Sequence, residues 1–184
     1  MTQQYGYAGK VVRVDLSSGS TAKIMTSDYA ERFLGGRGIA AKIYWDEVPP
    51  ETRAFDEGNR LIFSLGPLAG IPLLGGSRWG VFGKSPLSAS EKFCYGNLGG
   101  RWGVGLRFAG YDGLVIQGKS DRPAYLLIHD NSVEIKDASS LWGRGARETL
   151  DILKKELGKE ARVVSIGPAG ENRVTTATLL ADGD

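Results

Sequence analysis

The sequence predicts an α+β domain in which one unit of antiparallel strands with a single main helix occurs twice. Three observations predict it. Short runs alternating apolar and polar residues come in pairs separated by turn residues, the pattern of hairpins. Each pair is followed by a segment of helical spacing and then by a short apolar strand. Two landmarks also return in the same order: Leu34-Gly-Gly-Arg-Gly38 matches Leu141-Trp-Gly-Arg-Gly145 at an offset of 107 residues, and Gly66-Pro-Leu-Ala-Gly70 matches Gly167-Pro-Ala-Gly170 at an offset of 101. Residues 1–184 therefore read as one internally duplicated domain, with repeats over about 5–110 and 111–184, the second truncated. Two such halves favour a pseudo-twofold axis, which would offer a two-lobed ligand two similar sockets.

Taken in order, Lys10 to Leu16 alternates as a strand does, Ser17 to Ser20 turns at Gly19, and Thr21 to Met25 returns. Ser27 or Asp28 caps a helix that is interrupted by Gly35, Gly36 and Gly38, resumes from Ile39 to Glu47, and stops at Pro49 and Pro50. Arg60 to Leu65 is a short buried strand. In the second half Gly113 to Gln117 and Ala124 to Ile128 are strands, Asp130 and Asn131 turn, and Val133 to Lys136 returns. Ser139 or Ser140 precedes a helix whose best stretch is Ala146 to Leu157, with Ala146, Leu150, Leu153 and Leu157 at helical spacing, and Arg162 to Ile166 is the matching buried strand.

Composition excludes several functions. Net charge is only +2, so nothing pulls the whole molecule towards nucleic acid. No run approaches the roughly eighteen apolar residues of a membrane span, and MTQQYGYAGK lacks the apolar centre of a secretion signal, so a cytoplasmic location is expected. Cys94 is the only cysteine and His129 the only histidine, which excludes a disulfide and any zinc or iron–sulfur site built from this sequence alone. His129 ends an alternating run and is expected to face solvent, and Cys94 between Phe93 and Tyr95 is expected to be a small buried hydrophobe.

The chemistry concentrates between Gly66 and Gly113, which holds thirteen of the 27 glycines together with Arg78, Trp79, Lys84, Arg101, Trp102 and Arg107. Glycine is kept where φ must be positive or where backbone must approach something closely. Two readings stand: a platform of peptide N–H groups and cations for a flat anionic cofactor, or the turns and bulges of a glycine-rich antiparallel sheet. Gly36-Arg-Gly-Ile-Ala-Ala41 imitates a dinucleotide fingerprint but follows a helix rather than a strand, and Gly83-Lys84-Ser85 lacks the first glycine of a phosphate loop. Arg78-Trp79 and Arg101-Trp102 could stack on nucleobases, a minor reading at this net charge.

At Tyr5-Gly-Tyr-Ala-Gly9, Arg13-Val-Asp-Leu16, Leu34-Gly-Gly-Arg-Gly38, Gly66-Pro-Leu-Ala-Gly70, Lys84-Ser-Pro-Leu87, Phe108-Ala-Gly-Tyr-Asp112 and Ile166-Gly-Pro-Ala-Gly-Glu-Asn172 the sequence resembles the N-terminal domain of the aldehyde ferredoxin oxidoreductase family. The resemblance implies two packed antiparallel sheets forming the base for a tungsten or molybdenum bis-pyranopterin, whose metal is held by dithiolene sulfurs. It implies that Arg78 contacts the pterin on the side of a [4Fe–4S] cluster, that Gly99 contacts the pterin, and that the backbone carbonyl of Asn97 helps bind a Mg²⁺ bridging the pterin phosphates. Lys84 and Arg101 are possible further rim contacts. It further implies an aldehyde substrate, ferredoxin as electron acceptor and a possible homodimer, with the cluster and the covering domains in a part of the parent protein beyond this sequence.

Two departures qualify the carry-over: the segment between Pro86 and Asn97 is slightly longer than in aldehyde-oxidising members, and the sequence stops at Asp184 where they continue into an Arg- and Gly-rich segment. The 184 residues alone are expected to turn nothing over. The active-site subunit of a benzoyl-CoA reductase is an alternative within the resemblance. A stand-alone module for an anionic ligand is a third reading, and it expects a reading frame ending near Asp184.

Overall fold

A computed structural model describes residues 6–72, 75–87 and 89–182. The first five residues, part of the stretch read above for a secretion signal, lie outside these. Strands β1 (Lys10–Asp15) and β2 (Ser20–Met25) form the first hairpin, followed by helices α1 (Ser27–Phe33) and α2 (Arg37–Glu47). Then come β3 (Leu61–Leu65), β4 (Trp79–Lys84), β5 (Phe93–Leu98), helix α3 (Trp102–Phe108) and β6 (Gly113–Gln117). The second half holds the hairpin β7 (Ala124–His129) and β8 (Ser132–Asp137), helix α4 (Ala146–Leu157), β9 (Val164–Ser165), the short α5 (Gly167–Glu171) and β10 (Leu180–Ala181).

The α+β class holds, but the strands are apportioned differently from the expectation. Six of them form one sheet in the order β2-β1-β6-β3-β4-β5, antiparallel throughout except for the parallel pair β1 and β6. Two two-stranded sheets accompany it among the described residues, β7-β8, which packs on its second face, and β9-β10. The strand at Gly113–Gln117, read above with the second half, inserts between β1 and β3. Its near-continuous apolar sequence suits a central strand covered on both faces.

Period-two alternation divides the core. Val11, Ile62, Phe82 and Val115 meet Ile39, Ile43 and Tyr44 of α2 on one face. Val12, Val14, Phe63, Leu65, Trp79 and Leu114 take the other face with Leu106 of α3, and Leu126, Ile128, Val133 and Ile135 of the β7-β8 hairpin pack against them. Leu150 and Leu153 of α4 join Ala138, Leu141 and Val163 in a third cluster. Helix α2 is anchored at its C-terminal end by Glu47, which pairs with both Arg13 and Arg60, and the Glu47 carboxylate raises the Arg13 guanidinium above its ordinary value.

The predicted break between the first two helices falls at Leu34–Gly36, where Leu34 and Gly36 both have positive φ. Thr26, rather than Ser27 or Asp28, stands at the N-cap of α1 and makes no side-chain cap bond. Its hydroxyl donates instead to Oδ2 of Asp112 at 2.5 Å. Similarly Gly145, not a serine, caps α4. Cys94 is exposed on β5 rather than buried, because β5 is an edge strand.

Asp112, just before β6, accepts four hydrogen bonds through its side chain, more than any other among the described residues, and is only 2% exposed. Ala8 N–H donates to its Oδ1 and Gly9 N–H to its Oδ2, both at 2.8 Å, and Arg107 forms an ion pair with it. Its backbone accepts from Leu65 N at 2.9 Å and donates to Lys10 O at 2.7 Å. One buried charge thus joins the entry to β1, the start of α1, the end of β3 and helix α3.

Replacing Asp112 by Ala leaves Arg107 without its counter-charge and three donors without an acceptor. The expected loss, read from denaturant midpoints, is about 3–5 kcal/mol, the range for breaking a buried ion pair from one side. Tyr44, 6% exposed, donates to Asn59 Oδ1 at 2.7 Å, and burial pushes its phenol up to about 12. A raised phenol favours the neutral folded form, so its stabilising contribution is complete below the ordinary tyrosine pKa and is lost as pH rises through the folded value. Burial also raises Tyr29 and Tyr111, so absorbance titration should show several late tyrosinates with Tyr44 among them, and unfolding should become easier between pH ~10 and ~12.

Candidate functional site

Strand register brings the glycine-rich loops to one end of the sheet. Leu65 pairs with Trp79 and Trp79 with Leu98, so Gly66, Arg78 and Gly99 follow side by side where the three strands stop. The N-terminal segment and the first helix break arrive at the same end: Ala8 and Gly9 reach Asp112, and Gly36 N donates to Leu65 O at 2.8 Å. Of the two open readings of this stretch, each describes part of it. It is a glycine-rich antiparallel sheet along β4 and β5, and a cluster of open backbone beyond their ends.

Trp79 builds the floor. It is 3% exposed, its ring centroid lies 4.7 Å from that of Trp102, and its Nε1 donates to Gly99 O at 2.8 Å. Gly103 is required beneath it, since a Cβ there would come within 2.7 Å of the indole. Trp79 is thus committed to the core, which overturns the stacking-platform reading for its pair, while Trp102 is half-buried against it. What the pairs leave outside are the arginines. Arg78 and Arg101 are exposed, and among the described residues neither has an ion-pair or hydrogen-bond partner.

Gly99 and Gly100 continue the floor with no atom within 4 Å of where a Cβ would stand, and Gly100 takes φ +74°, so the backbone here is open to a ligand. Asn97 lies exposed on β5 opposite Gly80. Because β5 is the sheet's edge, alternate backbone carbonyls along it have no partner strand. Arg37, at the first turn of α2, stacks over Tyr95 of the same strand at 3.8 Å, a cation–π contact that sequence reading missed.

A groove of about 360 Å³ runs beside this end, between Leu98–Trp102 and Leu179–Asp182. Its far wall is pinned by Asp182: Val163 N donates to Oδ1 at 2.7 Å while Asp182 N donates to Val163 O at 3.0 Å, and Oδ2 is buried without a hydrogen-bond partner. A larger cavity of about 690 Å³ lies between the sheet's second face and α4, lined mostly by aliphatic side chains such as Leu106, Leu126 and Leu153. That space suits packing. The smaller groove has the bare backbone of Gly99 and Gly100 and the Arg101 cation.

Arg78, Asn97, Gly99 and Arg101 therefore stand at one end of the β4-β5 ladder, whereas Lys84 does not. Lys84 closes the opposite end of β4 and gives its ammonium to the Pro50 and Thr52 carbonyls, so it is no rim contact. Among the described residues no group of three or more His, Cys, Asp or Glu side chains could hold a metal ion. His129 lies exposed beside Glu134 at the tip of the β7-β8 hairpin, and no helix among the described residues is long and apolar enough to cross a membrane.

The class of domain these residues form is a mixed sheet with one glycine-lined, arginine-rimmed end. Comparison with known proteins gives that class a family. Residues 11–184 match the model of the aldehyde ferredoxin oxidoreductase N-terminal domain, and the chain belongs to that family. The tungsten-containing aldehyde ferredoxin oxidoreductases of Pyrococcus abyssi and Pyrococcus horikoshii are 42% and 41% identical to it over 181 residues, which is 97% of this chain and 30% of theirs. A solved structure of the active-site complex BamBC of benzoyl coenzyme A reductase with 1,5-dienoyl-CoA superimposes with a TM-score of 0.91 at 43% identity, over 97% of this chain and 27% of that one. The chain thus spans less than a third of the length of these relatives.

Trp79→Phe keeps the aromatic packing but deletes the bond to Gly99. Stability should fall by about 1 kcal/mol, the worth of one hydrogen bond. Amide exchange should rise at Gly99–Arg101 before it rises in β3 or β6.

Proposed function

We propose that this chain is the base on which a tungsten bis-pyranopterin sits in a longer oxidoreductase. The observation that supports it most is the meeting of Arg78, Gly99 and Arg101 with the unpaired edge of β5 at a single sheet end. The donor set fits such a group: guanidinium forks suit oxyanions and ring edges, side-chain-free backbone suits a flat body, and an edge-strand carbonyl at Asn97 is a hard oxygen suited to Mg²⁺. Absence of a protein ligand cluster among the described residues fits a metal carried by the cofactor's own sulfurs.

When bound, the cofactor supplies the redox-active metal and carries the electron chemistry. The residues of this chain bind and orient it. Arg78 holds an oxyanion or ring edge, Asn97 offers its carbonyl to the bridging Mg²⁺, and Gly99 with Gly100 lets the backbone come close.

For the whole protein the reading is oxidation of aldehydes to carboxylic acids. Water supplies the added oxygen, and two electrons leave one at a time through a [4Fe–4S] cluster to ferredoxin. Relatives named for that activity, at 42% and 41% identity, favour it. A second reading, the active-site subunit of a benzoyl-CoA reductase type of enzyme, is favoured by the BamBC superposition at 43% identity. Full-length protein assayed with aldehydes and a ferredoxin or viologen acceptor, beside a dienoyl-CoA, separates them. Turnover of the aldehyde alone is expected, and turnover of the thioester alone selects the second reading.

Arg78→Ala in the full-length protein removes a charge-assisted contact worth about 1.5–3 kcal/mol, so the cofactor should be held at least about tenfold more weakly. Tungsten per chain, measured by mass spectrometry, should drop together with activity. Unchanged metal content with unchanged activity overturns the assignment of Arg78.

A further inference from the structure

The connection from β3 to β4 runs thirteen residues, from Gly66 to Arg78. Connections beyond about twelve residues without regular structure are uncommon in compact domains and are usually functional or disordered. This one is partly closed on itself, with Ala69 N donating to Gly66 O at 3.1 Å and Gly70 N to Gly76 O at 2.9 Å. Among the described residues a single side chain from outside hydrogen-bonds to it. Arg107 of α3 places Nη2 on Gly66 O at 2.7 Å and Nη1 on the Asp112 carboxylate. Its stem also lies against Gly70, where an added Cβ would come within 3.3 Å of Arg107 Cγ.

Charge balance explains a cation at this position but not the fork. The side chain is 9% exposed, its Nε–H is buried without an acceptor, and burial lowers the guanidinium from its ordinary value while Asp112 opposes the shift. A methionine would fill the same space but leave the buried Asp112 carboxylate without its counter-charge, whereas a lysine would keep the charge and lose the fork. Asp112 would still accept from Ala8, Gly9 and Thr26. What only the guanidinium contributes is a planar fork with two fixed ends, one on the junction below β6 and one on the first carbonyl of the loop.

We propose that Arg107 is a positioning residue: it latches the start of the Gly66–Arg78 connection, at Gly66 and Gly70, to the Asp112 junction and so sets how that connection leaves β3 at the cofactor end of the sheet. The functional part of this rests on the cofactor reading above. The latch itself does not.

Arg107→Met and Arg107→Lys in the full-length protein test it, with hydrogen exchange followed by mass spectrometry, tungsten content and thermal midpoint read together. In the Met variant, exchange in peptides spanning 66–78 should accelerate by about tenfold or more beyond any rise in β1 and β6 caused by the lost counter-charge, the mark of local opening. The Lys variant, whose ammonium can still bridge towards one acceptor, should recover part of that protection. Tungsten content should fall in the same order. Unchanged exchange over 66–78 in either variant, or acceleration spread evenly over the six-stranded sheet, overturns the latch. If the Met variant does not fold, the Lys variant is read by the same criteria. Loop opening with full tungsten content supports the latch and counts instead against the cofactor reading of this end.

Discussion

A buried carboxylate must find donors, and the donors of Asp112 are scattered along the chain. Ala8 and Gly9 precede β1, Thr26 precedes α1, and Arg107 sits on α3. Arg107 is only five residues away, but the other three donors lie 86 to 104 residues off, so the charge is satisfied only when the first hairpin, helix α3 and strand β6 have all come together. A one-residue slip of β6 against β1 would turn Val115 and Leu114 to the wrong faces and carry Asp112 away from every partner. The polar junction and the apolar alternation therefore specify the same register. That agreement brings Gly66, Arg78 and Gly99 to one end.

Charge on the surface is only partly matched. Arg13 and Arg60 share Glu47, Lys42 pairs with Asp46, Arg144 with Glu148, and Lys84 is held by backbone carbonyls, whereas others such as Lys23 and Arg147 stand exposed without an ion pair among the described residues. Beside the groove, Arg78 and Arg101 have no described partner. With a net charge of only +2 the molecule has little long-range attraction for anions, so any selectivity for an anionic ligand has to come from these local donors. Exposed in water they cost little, and they strengthen once a bound group excludes solvent.

Much of the architecture could be read from residue types. The first hairpin, the helix break at Leu34–Gly36, α4 and the buried strand β3 all follow from alternation, helical spacing and glycine. Sheet membership could not. Gly113–Gln117 carries the same local signal whether it joins the first sheet or a second, and only long-range pairing with β1 and β3 decides. At the site, the glycines and arginines of 66–113 were visible as a cluster, and their family motif pointed to Arg78, Asn97 and Gly99. Trp79 misled because an Arg-Trp pair reads the same in a core as on a platform. Asp112 was quoted within Phe108-Ala-Gly-Tyr-Asp112 without a role, since nothing local tells that an aspartate will be buried with Arg107. Arg37 over Tyr95 joins positions too far apart for any motif to link.

Near-equal identity to proteins named for different reactions says something about what this domain does. At 42% it matches an aldehyde oxidoreductase and at 43% a benzoyl coenzyme A reductase complex, each over 97% of its length. If its side chains chose the substrate, one of those likenesses should be clearly weaker. Instead both likenesses run along nearly the whole of it. The remaining two-thirds of the relatives' length is where discrimination between an aldehyde and an aromatic thioester would have to lie. A fold supplies positions, and function enters with whatever is placed there. By that argument the cofactor can be inferred from these 184 residues with more force than the substrate.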